Sequence, residues 1–270
     1  MINSETKLVA VIGNPVSHSM SPAMHNAAFR HLGLNYVYLA FKVENLKAAV
    51  QAMRELGFEG YSVTIPHKQN IIKYLDRIDP LAAKIGAVNT VVNSRGLLIG
   101  YNTDAIGAIE SLKAKTSLTK KRIALLGAGG AARAVAFALL AEKAELKIFN
   151  RTFEKSKSLA KSVGCGYAGL DELFSFNPEI IINATSVGMH PNPKASPLDK
   201  AILKKGTIVF DMVYNPVETL LLKQARASGC ETISGIEMLL AQGAKQFKLW
   251  TGKDAPFDVM RSAVLEGVKK

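Results

Sequence analysis

The chain has 270 residues, 48% hydrophobic and 21% charged, with a formal net charge of +12. That length permits two medium domains or one large one, and the composition is that of an ordinary globular protein. No apolar run approaches the ~20 residues of a membrane span. The polar start Met1–Lys7 leads into a five-residue apolar run, Leu8–Ile12, too short for a signal-peptide core, so a cytoplasmic protein with no membrane role is expected. Cys165 and Cys230 are far apart and the five histidines fit no ligand spacing, which argues against a metal. The cations are dispersed, with no basic–aromatic interleaving. The charge therefore reads as solvated lysine faces that steer small anions, and no nucleic-acid partner is expected.

The first hundred residues alternate strand-like and helix-like runs. Leu8–Ile12 is a strand, and Ser21-Pro22 reads as an N-cap and first-turn proline opening a helix to about Gly33. Tyr36–Phe41 is a second strand, Glu44–Leu56 a helix closed by Gly57, and Gly60–Thr64 a third strand, after which Pro66 is expected to open another helix. Val88–Val92 and Leu97–Tyr101 form a hairpin across Ser94-Arg-Gly96, and Asp104 to about Lys115 is a helix.

Lys121–Thr152 then reads as strand, glycine turn, helix, strand. Ile123–Leu126 is apolar on both faces, as in a buried parallel strand. Gly127, Gly129 and Ala132 hold the spacing in which one glycine makes the turn, the next admits a pyrophosphate and a small third residue packs helix on strand. Ala128, Gly130 and Ala131 complete the turn and offer backbone N–H groups at a helix N-terminus. The second strand ends at Asn150, where an acid would bind the ribose 2′-OH of NAD. Here Asn150, Arg151, Thr152 and Lys155 favour a 2′-phosphate, hence NADP(H). Glu179–Asn183, Thr207–Met212 and Glu231–Ile233 continue the doubly wound pattern. The loops holding Thr185 and Met212 are therefore expected to face the cofactor. Asn215-Pro216 is expected to start a helix to about Ser228. Helices from about Gly235 to Trp250 and Pro256 to Val268, with no strand left to pair, are expected to return to the first domain and leave a cleft.

The expected fold is α/β with two domains: residues 1–103, completed by about 238–270, and a Rossmann domain at 104–237. A nicotinamide enzyme needs a partner for hydride and a proton donor beside it. Ser17 and Ser19, two apart in the turn after the first strand, are candidates for binding a carboxylate. Thr64 ends a strand, and Lys68 is expected in the first turn of a helix, where a cation is locally unfavourable and invites a role in proton transfer. Asn89 precedes a β run. Asp104, at a helix start, fits either a first-turn acid or a partner that tunes Lys68.

Together SHSMSPAMHN, SVTIPHK, GAVNT and GYNTDAIG, ahead of GAGGAAR and NRT, resemble the shikimate dehydrogenase family. NATSVG, DMVY and GIEMLLAQ continue the match over essentially the whole chain. The resemblance implies NADPH-dependent reduction of 3-dehydroshikimate to shikimate, in a monomer or homodimer. Relaxed use of quinate or NAD is the alternative. It implies that Ser17 and Ser19 hold the substrate carboxylate, that Thr64, Asn89 and Gln242 bind ring hydroxyls, and that Lys68 and Asp104 are the catalytic pair. It also implies Tyr214 near the substrate, Gly235 and Met238 at the nicotinamide, and Asn150, Arg151 and Thr152 at the adenosine phosphate, with Lys155 where relatives carry Arg.

Overall fold

In the computed structural model, residues 2–268 are described. Those up to Thr103 and from Gln242 onward form one compact unit, and Asp104–Ala241 form a second. The first unit opens with β1 (Lys7–Gly13), α1 (Ser21–His31), β2 (Tyr36–Lys42), α2 (Leu46–Glu55) and β3 (Gly60–Val63). β1 pairs in parallel with both β2 and β3, so Val9–Ile12 is buried on both faces. After a 3-10 turn at Asn70–Tyr74 come β4 (Arg77–Ile78), α3 (Pro80–Ile85), β5 (Thr90–Ser94) and β6 (Leu97–Tyr101). β5 runs antiparallel to both β3 and β6, making a mixed six-stranded sheet of order β2-β1-β3-β5-β6-β4. Arg95 (φ 54°) and Gly96 (φ 89°) are both left-handed, the two-residue turn that suits the twist of a hairpin.

The second unit begins as the chain enters α4 (Thr103–Lys113). It continues through β7 (Arg122–Leu126), α5 (Gly130–Ala141), β8 (Glu145–Phe149), α6 (Phe153–Val163), β9 (Gly166–Ala168), α7 (Leu173–Phe176), β10 (Ile180–Asn183), β11 (Ile208–Asp211), α8 (Leu220–Ala227) and β12 (Glu231–Ile233). Its sheet order is β12-β11-β10-β7-β8-β9, all parallel. This is the doubly wound arrangement, and its winding reverses between β7 and β10, the position where such sheets take ligands. α9 (Gly235–Thr251) and α10 (Phe257–Val268) close the chain. Within the first unit α10 packs on α1, and the Trp250 indole N–H donates to the Val91 carbonyl at 3.0 Å. No helix among the described residues is long and apolar enough to cross a membrane.

Three local expectations are corrected. Ser21 is the first helical residue rather than the cap. The cap position is Met20, which makes no side-chain bond, while the Ser21 N–H donates to Ser19 Oγ at 3.3 Å. Pro66 opens no α-helix: a turn closed by the His67 N–H to the Thr64 carbonyl leads only into the 3-10 turn. Asn215-Pro216 likewise starts no helix. α8 begins at Leu220, capped by Thr219, whose hydroxyl accepts from the Leu222 N–H.

Candidate functional site

In the first unit, parallel pairing of β1 with β3 sets the turns that follow them side by side. The Asn14 N–H donates to the Ile65 carbonyl at 2.8 Å, and a Cβ on Gly13 would collide with the Thr64 methyl. Ser17 and Ser19 lie in the first of these turns, Ser17 exposed and Ser19 half-buried. Thr64 and Lys68, both half-buried, lie in the second. Lys68 is therefore not in a helical first turn, and the dipole argument for it falls. Its backbone is held differently. The Val88 N–H donates to the Lys68 carbonyl at 2.8 Å, the neighbouring His67 Nε2 bonds the Val43 carbonyl at 2.8 Å, and the Val63 N–H donates to the Asn89 carbonyl at 2.8 Å. These bonds carry Thr64, Lys68 and Asn89 on adjoining backbone.

Asn89, Thr103, Asp104 and Gln242 are all buried. The Thr103 N–H donates to Asn89 Oδ1 at 2.7 Å, and Asn89 Nδ2 donates to Thr103 Oγ1 at 3.0 Å. Thr103 Oγ1 stands 3.5 Å from Gln242 Oε1, and Asp104 follows it as the acid of the first turn of α4. Behind this group Tyr38, Ser62, Gln246 and Thr90 continue a chain of buried hydrogen bonds. His25, fully buried, stacks on Tyr38 with ring centroids 4.6 Å apart. Burial pushes its pKa down to about 3, only partly offset by the nearby Gln246 amide, so the imidazole stays neutral.

In the second unit the loops at the ends of β7, β10 and β11 meet. Gly127 has φ +112°, and a Cβ there would lie 3.0 Å from the Thr185 methyl and 3.1 Å from the Ala184 carbonyl. Gly129 and Gly130 face open space, with no atom within 4 Å of an added Cβ. Gly129 is the N-cap of α5 and makes no side-chain cap, leaving the N–H groups of the first turn, with Ala131, free of capping. A phosphate fits such a cradle. Asn183 Nδ2 donates to Asp211 Oδ1 at 2.9 Å, and the Thr185 hydroxyl donates to Asn183 Oδ1 at 2.7 Å. Asp211 also accepts from the Thr219 hydroxyl at 2.6 Å and from the Val213 N–H at 3.1 Å, which fixes the loop holding Met212 and Tyr214. Burial raises the Asp211 carboxyl and the Tyr214 hydroxyl, and the bonds to Asp211 oppose its shift. Gly235 packs on that loop: its Cβ would fall 2.6 Å from the Met212 and Val213 carbonyl oxygens. Met238 is buried one turn further along α9.

At the tip of β8, Asn150 Nδ2 donates to the Thr152 carbonyl at 2.9 Å. Thr152 is the N-cap of α6 but makes no side-chain cap. Arg151 and Lys155 are exposed and make no ion pair among the described residues. Beside them Glu154 is the acid of the first turn of α6, and two exposed cations at a helix start are placed to meet an anion. Among the described residues no group of three or more His, Cys, Asp or Glu could hold a metal ion.

The sequence reading missed Thr103, Thr90, Gln246 and the Asn183–Asp211 pair. One signal was available: Gln246 stands four residues after Gln242, on the same face of an amphipathic helix.

Comparison with known proteins places these features in one group. Residues 11–91 match the model of the shikimate dehydrogenase substrate binding domain, 110–213 that of shikimate/quinate 5-dehydrogenase, and 235–265 that of the shikimate 5′-dehydrogenase C-terminal domain. The chain is 48% identical to the shikimate dehydrogenase (NADP(+)) of Methanocaldococcus jannaschii, over 100% of both chains. It is similar to a crystal structure of a shikimate dehydrogenase in complex with NADP+, with TM-score 0.96 and 46% identity, covering 100% of this chain and 98% of that one. It is also similar to the Thermus thermophilus shikimate 5-dehydrogenase in complex with NADP(H) and shikimate, with TM-score 0.91 and 39% identity, covering 97% of this chain and 99% of that one.

Proposed function

The chain belongs to the shikimate dehydrogenase family, and from that premise we propose that it reduces 3-dehydroshikimate to shikimate with NADPH, reversibly, in the biosynthesis of aromatic amino acids. One observation carries the reading: Lys68 and Asn89 are fixed on adjoining backbone at the edge of one sheet's strands, in a chain whose other sheet leads into an open glycine cradle and a basic tip. NADPH, when bound, supplies a hydride to the ring ketone.

Gly127–Ala131, Thr185, Met212, Gly235 and Met238 would hold the cofactor, and Asn150, Arg151, Thr152 and Lys155 would hold its 2′-phosphate. Arg151 would do so as a fork and Lys155 as a point charge. Ser17 and Ser19 bind the substrate carboxylate, Thr64, Asn89 and Gln242 its hydroxyls, and Tyr214 lies near it. As the ketone carbon accepts the hydride pair, the Lys68 ammonium stabilises the forming alkoxide and gives it a proton. Solvent then reprotonates Lys68. Asp104 balances and orients the lysine. A monomer or homodimer in the cytoplasm, without a nucleic-acid partner, belongs to the same proposal.

The test follows NADPH absorbance with 3-dehydroshikimate and, separately, 3-dehydroquinate, and then repeats both with NADH. Turnover of 3-dehydroshikimate with NADPH is expected to dominate. A clear preference for NADH, or for 3-dehydroquinate, would overturn the proposal in favour of a quinate-type enzyme.

A further inference from the structure

The polar chain behind Asn89 has a definite direction. The Tyr38 hydroxyl donates to Ser62 Oγ at 2.7 Å, and Ser62 donates to Gln246 Oε1 at 3.0 Å. With its oxygen so engaged, Gln246 turns Nε2 to Thr90 Oγ1 at 2.9 Å, and Thr90 passes its one hydrogen to Asn89 Oδ1 at 2.9 Å. The Thr103 backbone N–H, which can only donate, meets the same Oδ1 at 2.7 Å. Every member is buried, Thr90 at 0% and Gln246 at 1% exposure, so no water competes for these partners. The Asn89 amide cannot flip without setting its NH2 against the Thr103 N–H, while the Thr90 hydroxyl, 3.1 Å from Thr103 Oγ1, would have to turn away from it. One Nδ2 hydrogen is used by Thr103 Oγ1 at 3.0 Å, and the second has no acceptor among the described residues.

We propose that Gln246 and Thr90 are positioning residues. By saturating the oxygen of Asn89 they present its remaining amide hydrogen to the substrate, so this subsite recognises an oxygen that can accept, such as a ring hydroxyl. The inference rests on the proposed function for the identity of the substrate, but not for the orientation of Asn89.

Three variants test it. Thr90→Val keeps the shape and removes the hydroxyl, Thr90→Ser keeps the hydroxyl and removes a methyl, and Gln246→Glu places an acceptor where Thr90 now meets a donor. In Thr90→Val and Gln246→Glu, KM for 3-dehydroshikimate is expected to rise about tenfold, with kcat changed less than about threefold and KM for NADPH unmoved. Thr90→Ser is expected to stay near wild type. Equal losses in the valine and serine variants, or an unchanged substrate KM in the valine variant, would overturn the proposal and leave a packing role. If wild-type protein shows no turnover, the proposed function fails, but the orientation is still decided by 15N NMR of the side-chain amides. Thr90→Val, or Gln246→Glu should the valine variant not fold, is expected to shift both Asn89 amide hydrogens. Unmoved resonances would refute the relay.

Discussion

The two units build their candidate sites in different ways. In the second unit the candidate site is largely backbone: glycines without side chains, the uncapped N–H groups at the start of α5, and loops tied by Asn183 and Asp211 across adjacent strands. In the first unit the candidate site is made of side chains, held by other buried side chains far away in sequence. Ser62 and Gln246 are 184 residues apart, and Thr90 and Gln246 are 156 apart. A backbone cradle suits a ligand recognised through phosphate charge. A ring with several hydroxyls needs amides and hydroxyls in fixed orientation, and in the first unit that orientation comes from packing the end of α9, with Gln246 and Trp250, against the first sheet.

The largest expected effect lies in the first unit. Lys68→Ala should lower kcat by about 10²–10³-fold, roughly 3–4 kcal/mol of transition-state stabilisation, with dissociation constants for shikimate and NADPH nearly unchanged. Stopped-flow turnover with separate binding titrations checks it. Near-wild-type turnover would remove Lys68 from the chemistry and leave the first unit as a binding surface like the second. The second unit should respond in the opposite sense. Arg151→Ala should reduce kcat/KM for NADPH by about tenfold to thirtyfold, about 1.4–2 kcal/mol, and leave kcat/KM for NADH unaltered. Equal losses with both cofactors would mean that Arg151 supports α6 instead of reading the 2′-phosphate.

The same contrast explains how much could be read in advance. The glycine cradle and basic tip of the second unit are local, falling within Lys121–Lys155, so that part of the candidate site is a string of neighbours, whereas Thr185, Met212, Gly235 and Met238 come from farther along the chain. The first unit's candidate site was legible in part, because Thr64 and Asn89 flank strands that the apolar pattern marks and Lys68 lies in the turn after one of them. Its support was not legible. Nothing near Thr90 announces that its hydrogen-bond partner is Gln246, and a threonine in a β run reads as a strand former. Pro66 misled for a related reason. A proline after a strand favours a helix start in general, but here the Lys68 carbonyl bonds to the Val88 N–H, and that tertiary bond keeps the turn out of a helix.

The smallest expected effect concerns His25 and should touch stability alone. Its ring is neutral when folded, with a pKa near 3 against an ordinary 6.5, and it is fully buried among Tyr38, Phe247 and Trp250. Because the folded pKa is lowered, the unfolded chain binds the extra proton first. Stability from this group is therefore complete above about pH 6.5 and is lost as pH falls toward 3. The loss should reach about 1.4 kcal/mol at pH 5.5 and grow by about that much per further unit. Denaturant titrations at pH 7.5, 6.5 and 5.5 on wild type and on His25→Phe measure it, with the variant expected to lack this slope whatever its absolute stability. A phenylalanine variant that loses stability in parallel with wild type would show that the acid response comes from elsewhere. The buried relay beside His25 would then be insensitive to pH, like the backbone cradle of the second unit.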